Sequence, residues 1–340
     1  MLSEVNIVRS LPEAEWRRFI ESNPNSSIFH TPEMFEVYAR AKGHRPTLWA
    51  AVKDNGQTLA LLLPVQITLN DGLLRSLTTR SVVYGSLLYE PGEDGEKASA
   101  LLLKSYTHQV DGAPLFTELR NLWDINAVLA PIFREQGFVY EDHLNYLIDL
   151  DRPPEAIFSD FTAGTRKKIR RGLNKRNVRI EEVKEREQVA SCYNLLSKTY
   201  HNAQVPLANV SLFQAAFDIL YPQGMVRFTR ASVGDVFAAT SIELIYRDIV
   251  YGWYGGMDRA YSSYVANDLL MWHIFQWSAE KGYKVYDFGG AGKPNQKYGV
   301  RDFKAKFGGK LVCYGRYQFV HSPLLFRIST AGYGIFRKFF

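Results

Sequence analysis

The sequence predicts an α/β protein with mixed sheets, built as a tandem duplication of one module. Three observations carry this. A three-stranded meander occurs twice, each copy is preceded by amphipathic helices, and each is followed by a helix that ends in glycine before a strand. In the first half, the alternation over Thr47–Lys53 predicts a strand and Asp54-Asn55-Gly56 a turn. The apolar run Thr58–Leu69 predicts a second strand, Asn70-Asp71-Gly72 a second turn, and Leu73–Thr78 a third strand. Turn residues that tolerate positive φ between β-rich runs are hairpin signals. In the second half, Met225–Ser232, Val236–Tyr246 and Ile249–Tyr254 repeat the pattern around the turns Val233-Gly234-Asp235 and Arg247-Asp248.

Helices are predicted before each meander, over Glu13–Ser22 and Pro32–Lys42 in the first half and over Glu187–His201 and Leu212–Tyr221 in the second. After the first meander come the helix Ile125–Gln136, Gly137 and the strand Phe138–Leu150. After the second come Asn267–Lys281, Gly282 and Tyr283–Phe288. Leu270, Ile274 and Trp277 fall at i, i+4 and i+7 on one apolar face, and glycine at the C′ position permits the left-handed residue that ends such a helix. The paired prolines of Asp151-Arg152-Pro153-Pro154 break both periodicities. They place the first domain at residues 1–150 and the second, with the chemistry-bearing segment, at 151–314. The apolar, aromatic stretch His321–Phe340, with Arg327, Arg337 and Lys338, is expected to pack back on the first domain or to touch a membrane surface.

Composition narrows the class. At 340 residues, 46% hydrophobic and 22% charged, the chain is globular and long enough for two cores. The formal charge of +6 favours anionic partners. Cys192 and Cys313 are isolated, which argues against a disulfide framework. The histidines (30, 44, 108, 143, 201, 273 and 321) lack metal-ligand spacing, so no metal is expected. The longest uncharged stretch, Asn55–Asn70 with the substituents Gln57, Pro64 and Gln66 inside it, is short of a membrane span. The first residues, MLSEVNIVRSLPEAEW, lack a signal-peptide pattern. A cytoplasmic protein is expected.

The segment Tyr286–Gly309 concentrates the chemistry. A strand ending in Asp287-Phe288-Gly289-Gly290 brings a carboxylate to backbone without side chains, which a ligand can approach closely. The small, polar loop Ala291–Lys297 has the composition of a mobile rim. Phe303-Lys304 then places an ammonium beside an aromatic ring before Gly308-Gly309. Acylation of an amine passes through a tetrahedral oxyanion and needs a donor or cation at that oxygen, plus a route for the amine proton. Lys304 suits the first need and Asp287 or a tyrosine the second; the competing reading of Lys304 is a surface lysine on a strand edge.

Two further features stand out. The run Arg166-Lys167-Lys168-Ile169-Arg170-Arg171-Gly172-Leu173-Asn174-Lys175-Arg176 predicts a basic helix anchored by Ile169 and Leu173. It suits phosphates or a nucleic-acid backbone, with a solvated face as the bland alternative. No aromatic interleaves it, so base stacking is not indicated. Tyr251–Arg259 ends the second meander and feeds a loop before the Asn267 helix, whose N-terminus can form an anion site with Arg259 and Ser262-Ser263. Asn267 as a helix cap is the plainer reading of that residue.

Residues 28–32 (Ile-Phe-His-Thr-Pro), Phe116–Arg120, Phe138 with Leu147–Leu150, Arg166–Lys175, Tyr251–Gly256, Asn267–Gly282, Asp287-Phe288-Gly289 and Phe303-Lys304 with Phe307-Gly308 occur in an order that resembles the Fem-type aminoacyltransferases of the peptidoglycan cross-bridge, within the acetyltransferase-like (GNAT) superfamily. The resemblance implies tandem acetyltransferase-like domains, the first completed by residues 315–340. It also implies a lysine, Lys304, near the transferred acyl group, with Tyr254, Arg259, Phe303, Tyr84, Tyr38, Arg166, Lys168 and Arg170 binding substrate. Tyr38 stands where the family places a lysine on the precursor's diphosphate. No Arg-x-x-Gly-x-Gly spacing follows Arg259, the pattern that cradles coenzyme A in ordinary acetyltransferases.

The function expected is therefore acyl or aminoacyl transfer to an amine, from aminoacyl-tRNA to an envelope or peptide precursor. The alternatives are an acyl-CoA-dependent N-acyltransferase and a non-catalytic binding module on the same fold. The partners expected are tRNA, an anionic or amine-bearing envelope precursor and the inner face of the membrane, but not DNA, with no tightly bound cofactor.

Overall fold

A computed structural model describes residues 5–69, 72, 74–110, 114–125, 128–175 and 177–339, with side chains described through Ala331. The chain forms two compact units, Met1–Asp142 with Tyr314–Phe340, and His143–Cys313.

In the first unit the expected apolar strand Thr58–Leu69 is broken at Pro64, which has no N–H to give to a ladder. Thr58–Leu62 lies in a four-stranded sheet with Val5–Val8, Trp49–Lys53 and Leu88–Tyr89. Val65–Thr68 lies in a six-stranded sheet ordered His44–Pro46, Val65–Thr68, Thr79–Tyr84, Phe116–Arg120, Arg316–Val320, Val139–Glu141. Of the turn expected at Asn70-Asp71-Gly72 and the third strand expected at Leu73–Thr78, residues 70, 71 and 73 fall outside the described residues, and Arg75–Thr78 is a helical turn. Its threonine hydroxyls explain why. Thr78 Oγ1 donates to Leu74 O at 3.1 Å and Thr79 Oγ1 to Arg75 O at 2.8 Å, which closes the turn against extension. The third strand is the next segment, Thr79–Tyr84.

This shifts the internal equivalence. Thr79–Tyr84 pairs in parallel with Phe116–Arg120, and the connection between them contains the helix Glu93–Gln109, with Glu93, Asp94 and Glu96 in its first turn. That helix, not Ile125–Gln136, matches Ala266–Glu280 of the second unit. Of the helix expected over Ile125–Gln136, Leu129–Glu135 is helical, and its counterpart is Gly299–Ala305. Trp49, Tyr106, Phe133 and Tyr317 are fully buried in the core of this unit.

The second unit is a seven-stranded sheet ordered Val178–Glu182, Val226–Val233, Val236–Tyr246, Ile249–Met257, Val285–Gly290, Leu144–Asp149, Lys310–Cys313. All neighbours are antiparallel except Ile249–Met257 and Val285–Gly290. The strand expected over Phe138–Leu150 is two strands in two sheets: Val139–Glu141 pairs with Arg316–Val320, and Leu144–Asp149 with Val285–Gly290 and Lys310–Cys313. The change of unit therefore falls between Asp142 and His143. Pro154 instead occupies the first turn of a helix, Pro154–Ser159, where a missing N–H costs nothing.

Leu270, Ile274 and Phe275 of the Ala266–Glu280 helix are fully buried with Phe161, Ile169, Tyr286, Phe288 and Phe307. Apolar residues surround that helix rather than striping it, as expected of a helix enclosed in a core. The helix Ala163–Lys175 packs on it through Ile169 and Gly172, whose added Cβ would lie 2.9 Å from Leu269 Cδ1. Leu173, expected as the second anchor, is 51% exposed.

Candidate active site in the second unit

The two parallel strands of the second unit pair over only three positions, Ile249↔Val285, Val250↔Tyr286 and Tyr251↔Asp287. Ile249–Met257 continues along its other neighbour to Met257↔Ala239, while Val285–Gly290 continues along Leu144–Asp149. The sheet thus opens at Tyr251 and Asp287, and glycines line the opening. A Cβ on Gly252 would sit 2.6 Å from Tyr286 Oη. On Gly289, whose φ is +68°, it would sit 3.0 Å from Tyr251 Oη.

Asp287 is buried at the point of divergence. Its Oδ1 accepts from Asn145 Nδ2 at 2.7 Å and from the Gly289 amide at 2.7 Å. Burial raises the pKa of the carboxyl; the bonds from Asn145 and Gly289 and the charge of Lys304 act against that. Asn145 belongs to Leu144–Asp149, which the sequence reading assigned to the other domain, so this partner was missed.

Lys304 lies on the helix Gly299–Ala305, not on a strand edge, and is only 8% exposed. Its Nζ donates to three backbone carbonyls, Phe288 O at 2.6 Å, Gly290 O at 2.8 Å and Gly289 O at 3.2 Å. An ammonium has three N–H groups, and each has an acceptor here. Burial pulls the lysine down to about 8, opposed by the charge of Asp287. Arg301 of the same helix fastens the following loop, with Nε to Ala291 O at 2.9 Å, Nη1 to Pro294 O at 3.0 Å and Nη2 to Lys293 O. The segment Ala291–Lys297 is a clipped loop rather than the free rim its composition suggested. Gly308 and Gly309 lie against the backbone of Asp160 and Leu147, so the second glycine pair serves close packing.

Behind the opening lies a buried polar group that sequence reasoning did not single out. Ser241 Oγ donates to Glu243 Oε1, and the Tyr286 hydroxyl shares the same carboxyl. Burial pushes Glu243 up to about 7 against the bond from Ser241 and the charge of Arg227. Burial and the neighbouring Glu243 and Asp287 hold the Tyr286 phenol well above its ordinary range. The signal for it was a glutamate inside the strand Val236–Tyr246, where every residue from Ala238 to Ile245 is buried.

The other expected residues are dispersed. Tyr254 packs on Tyr200 and Phe213, with centroids at 5.7 and 4.8 Å, and Arg259 is exposed on a 3-10 turn. Phe303 rests on Phe307 at 5.3 Å and under Lys306 at 4.2 Å. Asn267 caps nothing. The helix begins at Ala266 after Val265, whose φ is +60°, and Asp268, paired with Lys306, already places an acid in its first turn. Tyr38 and Tyr84 stack on each other at 6.0 Å in the first unit, with Tyr38 buried. Arg166 Nη1 donates to Ser159 O at 2.6 Å and to Phe161 O, so it ties down the start of its helix. Lys167, Lys168, Arg170, Arg171 and Lys175 are exposed. Among the described residues, no group of three or more His, Cys, Asp or Glu is placed to hold a metal ion, and no helix is long and apolar enough to cross a membrane.

Residues 159–304 match the acetyltransferase (GNAT) domain family, a span that contains both the diverging strands and Lys304. A comparison with curated proteins finds no match. Among solved structures the chain is similar to FemX, with a TM-score of 0.70 at 14% identity over 95% of this chain and 99% of that one. It is similar also to a tandem GNAT protein from the clavulanic acid biosynthesis pathway, at 0.59 and 12% over 94% and 99%. A third is L-PGS from Bacillus licheniformis, at 0.56 and 14% over 95% and 97%. Likenesses at such identity speak for the fold: tandem GNAT modules with mixed sheets.

Proposed function

From the premise that the protein is an acyltransferase of the GNAT fold, we propose that it transfers an aminoacyl group from tRNA to an amine on a cell-envelope or peptide precursor, in the cytoplasm at the inner face of the membrane. The observation that carries this is the glycine-lined opening at Tyr251 and Asp287 with a buried ammonium at its mouth. The likeness to FemX and to L-PGS supports the aminoacyl donor.

In this reading the acyl carbonyl lies in the opening. The amine nitrogen bonds to the carbonyl carbon, and the carbonyl π electrons move to oxygen. Collapse of the tetrahedral species expels the ribose oxygen of the tRNA, which leaves as a hydroxyl by taking up the proton that the base removed from the amine. Lys304 supplies positive charge to the oxyanion, exchanging its longest bond, that to Gly289 O at 3.2 Å, for the acyl oxygen. Asp287, raised by burial and held through Oδ1, accepts the amine proton. The exposed cations Lys167, Lys168, Arg170, Arg171 and Lys175 attract the anionic donor.

A second reading, acyl-CoA as donor, is favoured by the GNAT domain itself and by the tandem GNAT protein, whose structure is described as without AcCoA. The two separate in one experiment: incubation with labelled aminoacyl-tRNA or labelled acyl-CoA and a panel of amines, following label into the acceptor. Transfer from tRNA supports the first reading. Transfer from CoA alone overturns it, and transfer from neither points to a non-catalytic module.

A further inference from the structure

Among the described side chains of the helix Pro323–Phe339, Phe326 and Ser329 fasten it to the first unit. Phe326 meets Phe116 edge-on at 5.4 Å, and Ser329 Oγ donates to Leu77 O at 2.8 Å. Beside these anchors Leu324 is 71% exposed, Ile328 is 49% exposed, and Arg327 is exposed. The neighbouring short helix Arg75–Thr78, which supplies Leu77, adds exposed Leu74 and Arg75 and has no acid in its first turn. Charge gives this apolar face a direction. The helix Pro323–Phe339 contains Arg327, Arg337 and Lys338 and not one Asp or Glu.

We propose that this face docks on an anionic phospholipid bilayer, with Leu324 and Ile328 entering the boundary of headgroups and acyl chains and Arg327 and Arg75 meeting the phosphates. A helix that pairs exposed apolar side chains with cations alone is matched by a surface that is apolar beneath and anionic above. A protein partner would have to supply a complementary acidic rim, and a second copy of this chain would bring the same cations to face these. The proposal concerns where the enzyme works and does not depend on which acyl group it transfers.

The test is flotation of the full chain with vesicles of phosphatidylglycerol and phosphatidylcholine, and with vesicles of phosphatidylcholine alone, at low and high salt. The wild-type chain should float with the anionic vesicles, less at high salt, and remain behind with the neutral ones. Leu324→Glu with Ile328→Glu should lower the bound fraction about tenfold while leaving the thermal melt unchanged, since both side chains face solvent. Arg327→Gln should weaken binding by about fivefold and lessen its salt dependence. Failure of the wild-type chain to float with anionic vesicles overturns the proposal, as does a double variant that floats as well. A dimer in lipid-free solution that the double substitution dissociates also overturns it, by making a second copy the occupant.

Discussion

Among the described residues each unit has one pair of parallel strands with a helical connection, and the two pairs end differently. In the first unit Thr79–Tyr84 and Phe116–Arg120 stay paired to Tyr84↔Arg120, and large side chains fill the end. Tyr84 stacks on Phe29 at 5.0 Å and carries the Arg120 guanidinium over its ring at 5.1 Å. Glu118 accepts from Arg120 at 2.6 Å and from Arg316 at 3.2 Å. In the second unit the pairing stops at Asp287, where Gly252 and Gly289 lie against the hydroxyls of Tyr286 and Tyr251 and the buried cation is Lys304. One topology is thus packed shut in one copy and left open in the other. The difference lies in the path of the backbone as well as in side-chain charge, since the second pair parts after Asp287 while the first stays paired to its last residues.

The buried carboxylates carry the same contrast. Burial opposes ionisation of Glu118, but the guanidinium groups of Arg120, Arg316 and Arg80 outweigh it and hold that carboxyl at about 2. For Glu243 of the second unit the bond from Ser241 and the charge of Arg227 do not outweigh burial, and it is held at about 7.

The sharpest way to break this comparison is Lys304→Ala, which should slow transfer ~100-fold or more if the ammonium serves the oxyanion. Wild-type activity should decline as pH rises through about 8, where Lys304 loses its proton, and the variant should lack that decline. An unchanged rate removes Lys304 from the mechanism. Arg120→Ala, at the closed end, should affect stability rather than rate.

Next in size is Glu118→Gln. Because the folded pKa lies below the ordinary 4.5, the stability Glu118 contributes is present above pH 4.5 and lost as pH falls toward 2. Urea melts should show a loss of about 3 kcal/mol over that window in the wild-type chain and little in the variant. Parallel curves would remove the arginine cluster as the cause.

Glu243→Gln should have the opposite sign. Its folded pKa lies above 4.5, so its contribution is fully present below pH 4.5 and lost as pH rises through about 7. The variant should melt higher than wild type at pH 8, by up to about 3 kcal/mol, and similarly at pH 4.5. A variant less stable at pH 8 would mean that the charged form is the one the fold wants. The smallest effect is expected on the basic helix. Lys168→Ala with Arg170→Ala should raise KM for an anionic donor roughly threefold to tenfold, an increase that shrinks with salt.

Much of this was legible in the sequence where local physics decides alone. Glu13–Ser22 and Val236–Tyr246 begin and end where periodicity places them. The strand that carries Asp287 and ends in Gly289-Gly290 was legible from glycine placement. What was not legible depends on partners distant in the chain. Phe138–Leu150 reads as one strand, because nothing in its alternation tells which sheet each half joins. Asn145 meets Asp287 only through that assignment. Lys304 gives no sign in sequence that carbonyls from three consecutive residues will take up its ammonium. Leu173 fits the helical period as an anchor, yet Gly172 takes that place because Leu269 approaches too closely for a larger residue.

The order of strands has a consequence for how the chain is made. The second unit is contiguous, so a ribosome releases everything its sheet requires in one stretch. The first is not: Arg316–Val320 lies between Phe116–Arg120 and Val139–Glu141, and Thr117 meets His321 across 204 positions of sequence. Until that late segment emerges, Phe116–Arg120 and Val139–Glu141 have a strand-wide gap between them and unpaired edges, the condition in which nascent chains call on chaperones. The earliest residues synthesised therefore complete their sheet last, after the unit that carries the chemistry has had the opportunity to fold.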